Sequence, residues 1–343
     1  LRLNRRIRDW LGLNRWFGAS RPATSRGPID HVVILDGTMS TLEAGLETNA
    51  GQTYKLLCEL APNRHVSLWY EAGIPWDGWR NAVNVIAGRG INRRIRRAYG
   101  FIASRYRPGD RIFLLGYSRG AYAARSLAGM IDQIGLLKAK HATERNIREI
   151  FRHYQATPGG ESAQAFARLY CHETAEIEMI GVWDTVKALG IRLPILWRIS
   201  PMATEFHSHR LGPTIRHGYH ALAIDERRVA YTPVLWETPE NWDGMAEQMW
   251  FRGTHGDVGG HLCGFEPARP LANIPLVWML EKLEGCNLKL PEGWRDRFPC
   301  DVNAPSLGFW RGFGILFLWR RKRVIGIDRS ERIHPTVAEL RKK

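Results

Sequence analysis

From residue 31 onward, short unbroken apolar runs alternate with longer stretches of helical period. His31–Leu35 (HVVIL), Val66–Tyr70, Arg111–Leu115 (RIFLL) and Ile177–Trp183 read as strands, and Gln248–Phe251 as the last clear one. Runs of this kind without polar alternation suit strands covered on both faces. Between them, Ala50–Leu60, Ala82–Tyr106, Ala121–Gly135 and Pro270–Glu284 carry helical patterns. The second of these puts Arg93, Arg94, Arg96 and Arg97 on its polar side. His141–Tyr170 is helical and polar throughout, the composition of a surface insertion. The alternation predicts an α/β fold with a mostly parallel central sheet and helices on both faces. Ahead of it, Leu3, Ile7, Trp10, Leu11 and Phe17 share a helical face amid Arg2, Arg5, Arg6 and Arg8, which reads as a basic amphipathic helix. Residues 19–29 read as its linker. Past Pro291, Trp and Arg become frequent and the periodicity fades.

The informative stretch is Arg111–Arg125, RIFLLGYSRGAYAAR. Within it, Gly116-Tyr117-Ser118-Arg119-Gly120 is a GxSxG that follows an apolar strand and opens an Ala-rich helix, the context a nucleophile elbow requires. Gly116 and Gly120 leave room for the sharp turn. The helix N-terminus aims free N–H groups at the reaction centre, and the Arg119 N–H is an expected oxyanion donor. The loop after the first strand, at Gly37 or Thr38, is expected to provide the second. A serine needs a base, and the base needs an orienting acid. In α/β-hydrolases these follow in the order Ser, acid, His. Asp184 ends an apolar strand, and His255 lies in a glycine-rich loop just past the last clear strand, so Ser118, Asp184 and His255 are the expected set.

Competing residues stand nearby. Asp225 and Asp257 are alternative acids, and His261, His217 and His220 are alternative bases. His255, Asp257 and His261 also spell HxDxxxH, too few ligands for a specific metal motif. Neither a metal nor another cofactor is expected. Asp36-Gly37-Thr38 resembles the end of the phosphatase signature DxDGT, but Ile34 stands where that chemistry needs a nucleophilic Asp.

Composition narrows the picture further. With 343 residues, 44% hydrophobic and 24% charged, the chain is an ordinary globular protein. Its longest apolar run, residues 312–319, is eight residues, short of the ~20 that span a bilayer. No apolar signal-peptide core follows the basic N-terminus, and the five cysteines form no CxxC pair. A cytoplasmic folding history is therefore expected, with export by a machine that needs no signal peptide, or peripheral membrane attachment, left open. The net charge of +15 is uneven. Residues 1–26, 89–111 and 320–343 together carry +19, leaving −4 on the rest. Basic edges interleaved with Trp10, Trp16, Phe17, Trp310 and Trp319 suit an anionic membrane surface. A nucleic-acid role would need a recognition motif, and no zinc finger, helix-turn-helix or RNA-recognition signature is present.

The motif set resembles the α/β-hydrolase domain of type VI secretion phospholipase effectors of the Tle type and their bacterial and fungal relatives. The matching residues are Asp36-Gly37-Thr38, Thr48-Asn49, Gly116 through Ala121, Gly181 through Val186, Asp225 through Arg228, Leu235-Trp236, Trp250-Phe251, His255 through Gly260 and His334-Pro335. Met39-Ser40 depart from the Trp-Asn common after DGT, and His261 interrupts the family's glycine run. The resemblance implies a serine ester hydrolase acting on phospholipid or another acyl ester, with Ser118 as nucleophile, His255 as base and Asp184 as acid. The domain reading is then a basic helix and linker at 1–29 and a catalytic domain at 30–343. Insertions at 141–176 and 191–213 are expected to form a lid or acyl pocket. The alternative is a catalytically minor hydrolase fold serving as a membrane-surface or nucleic-acid-binding protein. The sequence leaves the oligomeric state open.

Overall fold

The computed structural model describes residues 26–60, 65–73, 89–186, 210–309 and 319–340. The expected basic helix at 1–18, most of the 191–213 segment and Trp310 lie outside the described residues.

Seven strands form one sheet: β1 (Asp30–Leu35), β2 (Val66–Glu71), β3 (Arg111–Tyr117), β4 (Ile177–Trp183), β5 (Ile215–Ala223), β6 (Met245–Phe251) and β7 (Glu331–Ile333). Their spatial order is β2-β1-β3-β4-β5-β6-β7, and every neighbouring pair is parallel. The chain steps from β1 to β2 on one side and then returns past β1 to β3 on the other. The loops after β1 and β3 therefore diverge, which opens a crevice at the carboxyl ends of these strands.

Strand period two divides the core into two. Val33, Leu35, Ile112 and Leu114 face a cluster built on helices α2 (Arg89–Ala103) and α3 (Arg119–Gln133), together with α4 (Glu144–Ala156). Val32, Ile34, Phe113 and Leu115 face the other cluster, built on α1 (Asn49–Cys58) and α7 (Arg269–Gly285). The sheet is thus covered on both faces, which accounts for the unbroken apolar runs. The 141–176 segment holds α4 and α5 (Glu161–Tyr170). Ile147, Ile150, Phe151 and Tyr154 of α4 are buried in the α2–α3 cluster, and Thr143 caps the helix by accepting the Asn146 N–H. Two short helices complete the set, α6 (His255–Gly259) and α8 (Pro335–Leu340).

Three expectations are revised. β5 was not foreseen, because His217, Gly218 and His220 break its apolar run. β6 is not the last strand, since β7 pairs beside it through only three residues. Arg94 is buried, not on the polar side of its helix. Its guanidinium donates to the carbonyls of Asp36, just past β1, and of Glu71, the last residue of β2, which also accepts the Asp36 N–H at 3.0 Å.

Truncating a two-sided core strand leaves a cavity that neither helical layer can close. Leu114→Ala is expected to lower unfolding free energy by about 2–5 kcal/mol, whereas Leu169→Ala, on an exposed position of α5, shifts it by less than about 0.5 kcal/mol. Urea denaturation with unchanged m-values checks both.

Candidate active site

Three strand ends and one loop supply the polar side chains gathered at the crevice. Ser118 lies between β3 and α3 with φ 56° and ψ −118°, a conformation that costs about 1–3 kcal/mol for a non-glycine residue. The two glycines are required by close approach. A Cβ on Gly116 would lie 2.7 Å from the Ala121 backbone, and one on Gly120 would lie 2.0 Å from the Leu35 carbonyl oxygen. The Ser118 N–H donates to the Trp183 carbonyl at 3.0 Å, tying the turn to the end of β4. Serine at a helix N-cap ordinarily caps the helix with its hydroxyl. Here it makes no such bond, and its Oγ lies 2.9 Å from His255 Nε2.

His255 begins α6. Its backbone N–H donates to Glu226 Oε2 at 3.0 Å, and its carbonyl accepts from the Tyr117 hydroxyl at 3.2 Å. The ring is stacked between Tyr231, with centroids 4.5 Å apart, and Tyr117, at 5.0 Å. Arg228 lies over the Tyr231 ring at 4.4 Å and pairs with the buried Glu226 at 2.6 Å. His255 Nδ1 faces Asp184 Oδ2 at 2.6 Å.

Asp184 is fully buried, with φ 41°. Its Oδ1 accepts the Ala223 N–H at 3.0 Å. Arg323 grips both carboxylate oxygens, with Nη2 2.9 Å from Oδ2. Burial alone would raise the carboxyl pKa, but the Arg323 charge and hydrogen bonds, joined by His255, hold it well below the usual carboxylate range. An ionised carboxylate only accepts hydrogen bonds, so the imidazole proton sits on Nδ1, and Nε2 presents its lone pair to the Ser118 hydroxyl.

The alternative residues are occupied elsewhere. Asp225 Oδ2 accepts the Gly253 N–H at 2.8 Å. Asp257 caps α6 through the Thr254 N–H and hydroxyl, and also accepts the Leu307 N–H at 2.7 Å. His220 Nε2 accepts the Thr185 N–H, its Nδ1 faces Gln248, and burial pulls its pKa down to about 3, so it remains neutral. His217 bonds the Glu178 carbonyl at the far end of the sheet. His261 is pulled down to about 4 by burial and by the neighbouring His255. The HxDxxxH reading therefore fails, because Asp257 is taken by its own helix and loop. Elsewhere, Glu178, His217 and Cys286 bring one ligand atom each within 4.8 Å of one another. Burial raises the Cys286 thiol to about 11, which disfavours the thiolate a metal needs.

The oxyanion expectation is narrowed. The Gly37 N–H already donates to Asp36 Oδ1 at 2.6 Å. Asp36 Oδ2 also accepts from Thr48 and Tyr70, so this carboxylate fixes the loop, and its pKa is raised by burial. The Thr38 N–H makes no bond within the described residues, nor does the Arg119 N–H, an orphan donor of the first turn of α3. Sequence reasoning missed Arg323, Tyr231 and the anchoring role of Glu226. Glu226 stands inside a motif already singled out, whereas nothing local marks the other two.

Residues 30–282 match the family model described as T6SS, Phospholipase effector Tle1-like, catalytic domain. An uncharacterized protein of Saccharomyces cerevisiae, YEL023C, is 26% identical over 235 residues, covering 59% of this chain and 33% of that one. Two solved structures are similar. One is an uncharacterized protein from Pseudomonas aeruginosa, with 14% identity, TM-score 0.46, and coverage of 88% of this chain and 54% of that one. The other is a Tle1 effector bound to the VgrG spike of the type 6 secretion system, with 20% identity, TM-score 0.32, and coverage of 68% and 51%. The chain thus spans a third to about half the length of these relatives.

Removing one partner from a buried ion pair strands the other charge. Arg323→Met is expected to lower stability by about 3–5 kcal/mol at neutral pH. Because the folded pKa of Asp184 is depressed, the pair's contribution is complete above the unfolded value near ~4 and is lost as pH falls below it. The difference between wild type and variant in thermal or urea unfolding should therefore shrink as pH falls below about 4.

Proposed function

This chain belongs to the family of Tle1-like type VI secretion phospholipase effector catalytic domains, and from that premise we propose that it is a serine ester hydrolase that cleaves acyl esters of phospholipids through Ser118, His255 and Asp184. The observation that carries the reading is the hydrogen-bonded series from Ser118 Oγ through both nitrogens of His255 to Asp184, at 2.9 and 2.6 Å, on a strained strand-to-helix turn. Three unrelated stretches of sequence converge there, and the tautomer the acid imposes is the one a general base needs.

The chemistry follows from these atoms. As Ser118 Oγ attacks the acyl carbonyl carbon, its proton passes to His255 Nε2. The charge developing on the carbonyl oxygen is met by the Arg119 and Thr38 N–H groups. The imidazolium, stabilised by Asp184, gives its proton to the departing alcohol oxygen, leaving the acyl group on Ser118. Water then gives a proton to Nε2 while attacking the acyl carbon. The carboxylic acid departs, and the proton returns to Ser118 Oγ. Tyr117 and Tyr231 keep the ring in plane throughout, since rotation would break both of its hydrogen bonds at once. The catalytic unit is assigned to residues 30–343. No helix among the described residues is long and apolar enough to cross a membrane.

Ser118→Ala is expected to abolish labelling by a serine-directed fluorophosphonate and to reduce hydrolysis of phospholipids and acyl-nitrophenyl esters about 10⁶-fold. Asp184→Asn should retain labelling at a reduced rate and lower kcat about 10⁴-fold, by reversing the tautomer. Full labelling of the Ser118→Ala protein would sink the assignment.

A further inference from the structure

Among the described residues nine large apolar side chains are exposed, and four of them fall in the nine-residue stretch Trp319–Ile327. Trp319 is 63% exposed, Val324 58%, Ile325 36% and Ile327 67%. Their backbone is not free to turn them inward. The Trp319 carbonyl accepts from the Val229 N–H at 3.0 Å, the Arg321 N–H donates to the Arg227 carbonyl at 2.7 Å, and the Gly326 N–H donates to Glu331 at 3.0 Å. Between these points the Arg323 guanidinium is buried against Asp184. The stretch is pinned at four places, with its apolar side chains directed outward.

The charge within it is of one sign. WRRKRVIGI holds four cations and no acid. Arg321 and Lys322 are exposed, and so is Arg227, in the loop after β5, whose carbonyl holds the Arg321 N–H. Of the acids beside it, Glu226 is paired with Arg228, while Asp328 and Glu331 accept from the neutral donors Thr238, Ser330 and Trp250. Apolar side chains beside the exposed cations Arg321, Lys322 and Arg227 match a surface that offers acyl chains beneath anionic headgroups. A nucleic-acid surface would leave the four apolar side chains without a partner.

The patch also sits at the site. Arg323 belongs to it and touches Asp184, so it lies at the same carboxyl end of the sheet as Ser118. Met39 and Leu46, exposed on the loop after β1, stand at that end too.

We propose that Trp319–Ile327 is the element by which this protein docks on an anionic phospholipid bilayer, holding the mouth of the crevice against the lipid it hydrolyses. The second half of this statement rests on the hydrolase reading; the docking itself does not.

The test measures co-sedimentation with vesicles of phosphatidylglycerol and phosphatidylcholine in equal parts, and with vesicles of phosphatidylcholine alone. Wild type, Trp319→Ala/Ile327→Ser and Arg321→Gln/Lys322→Gln are compared. Wild type should favour the anionic vesicles, the apolar double variant should lose about tenfold in partitioning, and the charge variant should lose that preference by about tenfold or more. Hydrolysis of vesicle lipid should fall in step with partitioning, while hydrolysis of a dissolved short-chain nitrophenyl ester stays within about twofold for the apolar variant. Unchanged partitioning of both variants overturns the proposal. So does a parallel loss on the dissolved ester, which would make the stretch a structural wall of the site, or a shift from dimer to monomer in the apolar variant, which would make it a contact between copies of the chain. A wild type inactive on every ester but still partitioning in this pattern would reject the hydrolase reading and leave the docking surface standing.

Discussion

A carboxylate without any exposed surface must be paired or protonated, and Asp184 is paired by three separate parts of the chain. Arg323 arrives from the C-terminal segment, His255 from the loop after β6 and the Ala223 N–H from the end of β5. Meeting that one charge fixes where each of these segments ends. Arg323 also donates to the carbonyls of Ala223 and Tyr231. The residue that compensates the acid therefore also sets the backbone bearing one of the two rings around His255. A change at Asp184 would loosen the strand ends and the imidazole clamp together.

The contrast with Asp36 shows how environment assigns roles to residues of one type. Both aspartates are fully buried at the carboxyl ends of parallel strands. Asp36 is surrounded by neutral donors, the Gly37 N–H and the Thr48 and Tyr70 hydroxyls, and burial dominates its titration. Asp184 meets a guanidinium directly and stays ionised. An ionised acid, which can only accept, imposes the Nδ1–H tautomer on a neighbouring histidine. The same wiring accounts for part of the chain's basic character. Arg94, Arg111, Arg228 and Arg323 are all bound to internal carboxylates or carbonyls. These four, of 49 basic residues, are internal connections rather than surface charge.

How much of this was legible depended on the range of the interactions. The strands His31–Leu35 and Arg111–Leu115 are unbroken apolar runs because both sheet faces are covered, and the elbow is written in consecutive residues because its constraint is a local steric one. Ser118, Asp184 and His255 could be found from their positions at the ends of such runs. β5 was not legible, because His220 looks polar in sequence and becomes a satisfied core residue only when Thr185 and Gln248 are placed beside it. Arg323 was equally hidden. It stands among eight other basic residues in the last 24, and what distinguishes it is a contact with a residue 139 positions earlier. Arg94 was misplaced for a related reason: helical period counts an arginine as polar, whereas backbone carbonyls at the ends of two strands can draw it inside.

The C-terminal segment carries this logic to the surface. Its cations divide by position, with Arg323 turned in to the acid while Arg321 and Lys322 face solvent. Its apolar residues are held out by backbone bonds to residues 227 and 229, next to Glu226, which fixes the His255 backbone. A force on the outer face of this strip would therefore reach the imidazole by two short routes: through Arg323 to Asp184, and through the 226–231 loop to Glu226 and Tyr231. Both routes consist of buried charge-assisted bonds and stacked rings, and the ion pairs resist displacement because breaking one costs about 3–5 kcal/mol. The arrangement favours rigid transmission over gating. A surface bound by the strip would be held at a fixed distance from Ser118, and the crevice would need no rearrangement of its catalytic groups to receive an ester presented from that surface.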